Sequence, residues 1–183
     1  MSIPELVQLL ASKSAKRGHF TLASGRPSTL YIDARLTTMS PEGLRIIGSA
    51  GLQALHDARW NVDSVGGLTL GADPISYAIA YASAESSSPV RAFTVRKEAK
   101  VHGMGRLIEG PFQQGDRAVV IEDVITTGGS ALRAAQAIAD AGGQVVGVLA
   151  LVDREEGGRE ALEAQGLTVI TLTCASDIIA QMP

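Results

Sequence analysis

Residues 117–130 read Arg117-Ala118-Val119-Val120-Ile121-Glu122-Asp123-Val124-Ile125-Thr126-Thr127-Gly128-Gly129-Ser130. The opening run has the apolar character of a buried strand, expected over about 117–122, and it ends in two adjacent carboxylates. An Ala-rich helical pattern follows over about 129–141. The loop between them suits one phosphate monoester. Two glycines let backbone N–H groups turn toward a ligand, Thr126, Thr127 and Ser130 add hydroxyl donors, and the next helix presents its positive end. Glu122 and Asp123 suit sugar hydroxyls, which are donors that the phosphate-binding groups cannot serve. An ordinary Gly-rich turn opening a helix would account for the glycines but not for the two acids and three hydroxyls around them.

Working outward, short apolar runs alternate with helical patterns. Strands are expected near 63–68, 91–96, 144–152 and 167–173, and helices near 73–85 and 157–165. Such alternation predicts parallel βαβ units in an α/β sheet flanked by helices, with ligands beyond the C-terminal strand ends. Upstream, Ser2-Ile3-Pro4-Glu5 reads as a capping box for a helix with Ile3, Leu6, Val7 and Leu10 on one face, stopped by Gly18. Residues 20–38 read as a hairpin or extended pair turning at Ser24-Gly25-Arg26-Pro27. Ser40 and Pro41 open a further helix striped by Leu44, Ile47 and Leu55. No repeat or linker interrupts the chain, so residues 1–183 form a single expected domain, the first 40 or so contributing a small lobe.

The chain has 183 residues, 45% of them hydrophobic, and a net charge of -3. The whole molecule is therefore no polyanion binder, and any phosphate site is local. Cys174 is the sole cysteine, which excludes an intrachain disulfide, and no ligand spacing suggests structural zinc. No run approaches the roughly 20 apolar residues of a membrane span. Lys13, Lys16 and Arg17 behind an apolar face faintly resemble a transit peptide, but Glu5 and the helix signals favour a native helix. Cytoplasm is the expected location. GxxxxGK[ST] is absent, and Gly103-Met104-Gly105 lacks the third glycine and the setting of a dinucleotide fingerprint.

Residues 91–106 hold Arg91, Arg96, Lys97, Lys100 and Arg106 against the single acid Glu98. A solvated basic loop is the plain reading. Punctuation by Gly103, Gly105 and Gly110 adds the pattern of a lid over an anionic ligand. His102 sits among these cations and glycines, whereas His19 and His56 have no such company and read as structural.

The stretch 122–130 resembles the phosphoribosyl diphosphate (PRPP) motif of type I phosphoribosyltransferases. Three further stretches are similar to the orotate phosphoribosyltransferase family. Phe20-Thr21-Leu22-Ala23-Ser24-Gly25-Arg26 through Ser28 to Tyr31-Ile32-Asp33 resembles its N-terminal substrate segment. Arg96-Lys97-Glu98-Ala99-Lys100-Val101-His102-Gly103 resembles its catalytic loop, and Leu151-Val152-Asp153-Arg154 its orotate-contacting strand end. The four keep the family order across nearly the whole chain.

The resemblance implies a type I phosphoribosyltransferase fold with a small N-terminal hood. It implies transfer of phosphoribose from PRPP to orotate, with Mg²⁺ held mainly through PRPP and no protein metal ligands, in pyrimidine nucleotide synthesis. Lys100, His102 and Asp123 are the implied catalytic residues. PRPP contacts are implied for Arg96, Lys97, Lys100, His102, Glu122, Asp123, Val124, Ile125, Thr126, Thr127, Gly128, Gly129 and Ser130. Orotate contacts are implied for Thr126, Arg154, Tyr31 and Ile32. Arg154 has two readings: a planar pair with the orotate carboxylate, or an ion pair with Asp153, Glu155 or Glu156. A homodimer is implied, with Lys97 serving the partner's site. The chain departs from some relatives in having Ala23 and Gly71 where they carry lysines, and Val101 and Met104 where acids are common.

Two other functions compete. A transferase for a purine or another base would share the phosphate loop, but a purine offers no carboxylate to Arg154. A non-enzymatic, nucleotide-responsive regulator of RNA or DNA should show a broad basic face or an appended DNA-binding module, and the sequence has neither.

Overall fold

The structure, a computed structural model, describes residues 3–21, 25, 27–98 and 107–182. Helix α1 (Pro4–Lys13) starts one residue later than a capping box at Ser2 would place it. Ile3 is the N-cap and makes no side-chain bond, while Pro4 fits the first turn because its missing N–H has no helical partner there. Gly18 does not stop this helix. It lies inside strand β1 (Ala15–Thr21), which pairs antiparallel with β2 (Pro27–Ile32). The register shifts between Arg17 and Phe20, so Gly18 marks a bulge in the hairpin.

One turn of helix, α2 (Arg35–Thr38), leads into α3 (Pro41–Asp57). Ser40 Oγ accepts the Gly43 N–H at 3.1 Å, the cap that the sequence predicts, worth about 1 kcal/mol. The remaining elements are β3 (Ser64–Leu68), α4 (Ala72–Ala82), β4 (Arg91–Val95), β5 (Ile108–Glu109) and β6 (Arg117–Ile125). After them come α5 (Gly129–Asp140), β7 (Gln144–Asp153), α6 (Gly158–Glu163), β8 (Val169–Cys174) and α7 (Ala175–Gln181).

The main sheet runs in the order β5-β4-β3-β6-β7-β8. All its pairings are parallel except the short β4/β5 edge. Alternating strand residues feed two cores. Val65, Val119, Ile121, Leu149 and Leu151 face α1, α3, α4 and α7, while Phe93, Val95, Ala118, Val120, Val148 and Ala150 face α5 and α6. Both faces of the strands are thus covered, which is why they read as continuous apolar runs. Leu6, Val7 and Leu10 of α1 lie in the first of these cores, whereas β1 and β2 form a separate two-stranded sheet. Gly67 lets β3 approach β6, since a Cβ there would collide with the Ile121 carbonyl. Among the described residues no helix is long and apolar enough to cross a membrane.

Candidate active site

A cavity of about 720 Å³ opens beyond the C-terminal ends of β3, β6 and β7. Residues 122–130 form one wall, 68–71 another, and Arg154 and residues 31–35 close it, with Lys97 also on its lining. The expected phosphate loop and all four expected base-contacting residues, Tyr31, Ile32, Thr126 and Arg154, therefore share one space.

The loop depends on how β6 ends. The acids suggest a strand end at 122, but β6 stays paired with β7 through Val124 opposite Val152 and Ile125 opposite Asp153. Val124 and Ile125 pack their side chains into opposite cores, so what they offer the cavity is chiefly backbone. Gly128 then takes φ +80° as the N-cap of α5, a conformation that side chains disfavour. A Cβ on Gly128 would press on Leu162, and one on Gly158 would press on the Thr126 backbone carbonyl, so α6 backs the loop closely. The first-turn amides of α5 lack helical acceptors and give the loop its anion affinity.

Burial foremost, then the neighbouring Asp123 carboxylate, push the Glu122 carboxyl up to about 9, with Arg133 pulling weakly the other way. Glu122 therefore keeps its proton at neutral pH. Asp123 Oδ1 also accepts the Val124 N–H at 2.9 Å. Gly71 lies directly against the Asp123 carboxylate, where a Cβ would have no room.

The 69–71 loop is fixed by Asp73, a residue the sequence reading did not single out. Its buried carboxylate accepts Thr69 Oγ1 at 2.6 Å and Thr94 Oγ1 at 2.8 Å. Tyr77 extends the network through its hydroxyl, 2.8 Å from Thr94 Oγ1. The Thr69–Leu70 peptide is cis. An acid in the first turn of a helix carries no motif, so only its position after the 69–71 loop could have marked it.

Arg154 lines the cavity but is 8% exposed and heavily engaged. Its Nε and Nη2 donate to Glu156 Oε1 at 2.9 and 2.8 Å, and Nη2 also reaches Ser28 Oγ and the Leu30 carbonyl, each at 3.1 Å. It thus stitches the β7 end to β2. Tyr31 is half exposed and packs on Phe20, ring centres 5.3 Å apart, while the buried Ile32 belongs to the core as well as to the cavity lining.

In the basic segment, Arg91 is structural, 2.7 Å from both Asp116 Oδ1 and the Pro111 carbonyl. Arg96 pairs with Glu109 at 3.6 Å and donates to the Glu98 carbonyl at 3.4 Å. Lys97 lines the cavity of its own chain, whereas the resemblance assigns it to the partner's site. Lys100 and His102, like Leu22, Ala23, Ser24 and Arg26, lie outside the described residues.

No family model matches the chain. Orotate phosphoribosyltransferase of Aquifex aeolicus is 46% identical over 177 residues, covering 97% of this chain and 96% of the relative. The chain belongs to the orotate phosphoribosyltransferase family. Solved structures of the Mycobacterium tuberculosis orotate phosphoribosyltransferase agree. Its complex with Fe(III) dicitrate has a TM-score of 0.84 at 44% identity, covering 96% of this chain and 97% of that one. Its complex with PRPP has a TM-score of 0.80 at 41% identity, with coverage of 96% and 97%.

A protonated Glu122 has a thermodynamic signature. Below about pH 4.5 the carboxyl holds its proton folded or unfolded. From there to about pH 9 only the folded form keeps it, so folding loses stability as pH rises across that window. Glu122→Gln should therefore melt near wild type at pH 4 and at increasingly higher temperature than wild type from pH 5 to 9. Thermal melts showing one constant difference at every pH would mean that Glu122 ionises normally.

Proposed function

We propose that this chain transfers the phosphoribosyl group of PRPP to orotate, giving orotidine 5'-monophosphate and pyrophosphate, as the orotate phosphoribosyltransferase family does. The observation that carries the reading is the joining, in one cavity, of the 126–130 phosphate cradle, the Glu122–Asp123 pair and Arg154. The alternative bases lack a carboxylate for Arg154, and no observation favours a regulator.

The chemistry follows from the placement. The amides and hydroxyls of Val124, Ile125, Thr126, Thr127, Gly128, Gly129 and Ser130 hold the 5'-phosphate. Glu122 and Asp123 take the ribose hydroxyls. A protonated Glu122 removes one negative charge from the pair, which eases the approach of a polyanion. The bond from ribose carbon 1 to the diphosphate oxygen breaks with its electron pair going to pyrophosphate. A ring nitrogen of orotate supplies the pair for the new bond and gives up its proton. Arg96, Lys97, Lys100 and His102 meet the charge growing on the leaving group, and His102 passes it a proton. Arg154, Thr126, Tyr31 and Ile32 hold the base. With Nε and Nη2 on Glu156, Arg154 meets the orotate carboxylate through its remaining protons or after Glu156 yields.

Mg²⁺ fits as a companion of the substrate. The ion would be carried by the diphosphate and would neutralise part of its charge. The chain works as one domain to which residues before about 40 contribute a hood over the cavity, a role supported by the lining from 31–35. The chain pairs as a homodimer that shares its lid, and the exposed Leu70, Tyr77 and Tyr81 on and beside α4 offer apolar surface for such pairing.

Incubation with PRPP, Mg²⁺ and separately orotate, uracil, adenine or hypoxanthine tests the assignment: nucleotide should form with orotate, and none from any base would reject it. Uracil is orotate without its carboxylate, so Arg154→Gln should shrink the orotate-over-uracil preference about 10- to 100-fold, the loss expected for a charged hydrogen bond. A preserved preference would leave Arg154 as a purely structural tie.

Sharing of the lid is tested by mixing. Lys97→Ala and Asp123→Asn chains, each nearly inactive, should recover roughly a quarter of wild-type activity after subunit exchange, because half the two-fold dimers are mixed and each has one intact site. No recovery after verified exchange would place each site within one chain.

A further inference from the structure

Arg35 opens α2 immediately after the hairpin, on the lining of the same cavity. Asp33 grips it as a fork: Arg35 Nε donates to Asp33 Oδ1 at 2.8 Å and Nη2 to Oδ2 at 3.1 Å. The Arg35 backbone N–H adds a third bond to Oδ1 at 3.2 Å. The fork engages Nε and Nη2 and not Nη1. The bond and charge of Asp33, and more weakly the charges of Tyr31 and Asp123, favour the charged guanidinium, so Arg35 lies within electrostatic reach of Asp123.

The charges around the cavity make this position significant. Its described cations are Arg35, Lys97 and Arg154. Arg154 is committed to Glu156, Ser28 and Leu30. The 69–71 loop, which packs against Asp123, brings Thr69, Leu70 and Gly71 and no positive side chain. A diphosphate leaving carbon 1 of a ribose seated on Glu122 and Asp123 departs beside two acids, and it needs a fixed cation there. Guanidinium suits that task because its planar donors match paired phosphate oxygens.

We propose that Arg35, oriented by Asp33, binds the diphosphate of PRPP and the pyrophosphate product. The inference rests on the transferase reading above. Arg35 touches the leaving group, gaining strength as the electron pair of the breaking bond collects on oxygen. Asp33 touches no substrate and is a positioning residue.

Steady-state kinetics of Arg35→Gln, Arg35→Lys and Asp33→Asn, with thermal melts as the folding control, test the assignment. Arg35→Gln should raise the KM for PRPP and weaken inhibition by pyrophosphate, each about 10- to 100-fold, while the KM for orotate stays within about twofold. Arg35→Lys should recover part of the loss, and Asp33→Asn should fall between Arg35→Gln and wild type. Calorimetric titration of each variant with pyrophosphate and Mg²⁺ gives a readout independent of turnover. Unchanged PRPP and pyrophosphate affinities, or a rise confined to the KM for orotate, would overturn the proposal while wild-type activity still upheld the reaction. Absence of orotidine monophosphate from the wild type would instead reject the transferase reading, whatever the pyrophosphate titration gave.

Discussion

Two carboxyl groups on adjacent residues of one strand cannot both stay ionised out of water without a large electrostatic cost, and the site is organised around that conflict. Glu122 resolves it by keeping a proton beside Asp123. Both are held in place because β6 continues beside β7 through Ile125 and so fixes the backbone on either side of them. The same continuation delivers Thr126 to the start of α5 against the glycine-rich front of α6. Gly71 completes the arrangement from β3, its missing side chain leaving room for the Asp123 carboxylate. The cavity is thus a junction of three strand ends whose close approach requires small residues at 67, 71, 128 and 158.

Much of this architecture is legible in the chain, and the rest is hidden for identifiable reasons. Apolar runs such as 118–121 and 148–152 announce parallel strands because helices cover both faces. Ser40 and Pro41 announce α3 through local capping chemistry. Local rules fail where pairing overrides them. Gly18 looks like a helix stop but sits at a bulge in β1, and the acids at 122–123 look like a strand end but lie inside β6. α2, β5 and α7 are too short to show a period.

The site divides along the same line. Residues 122–130 are contiguous, so their chemistry can be read directly. Asp73 holds Thr69 and Thr94, and Asp33 holds Arg35, within a cavity assembled from distant segments. A lone acid or arginine carries no pattern until the fold supplies its neighbours. Arg154 shows the converse. The sequence allowed it either a substrate carboxylate or a neighbouring acid, and the fold gives it Glu156 together with Ser28 and Leu30, making it a brace for β2 as well as a candidate base contact.

The central claim is that the loop following β6 seats a phosphorylated ribose. It is tested most directly by following backbone amide resonances while ribose 5-phosphate is added without orotate or Mg²⁺. The largest shifts should fall on residues 126–130, with smaller ones at Glu122 and Asp123, and β8 and α7 should stay still. Saturable binding that leaves 126–130 unmoved and shifts another region would contradict it.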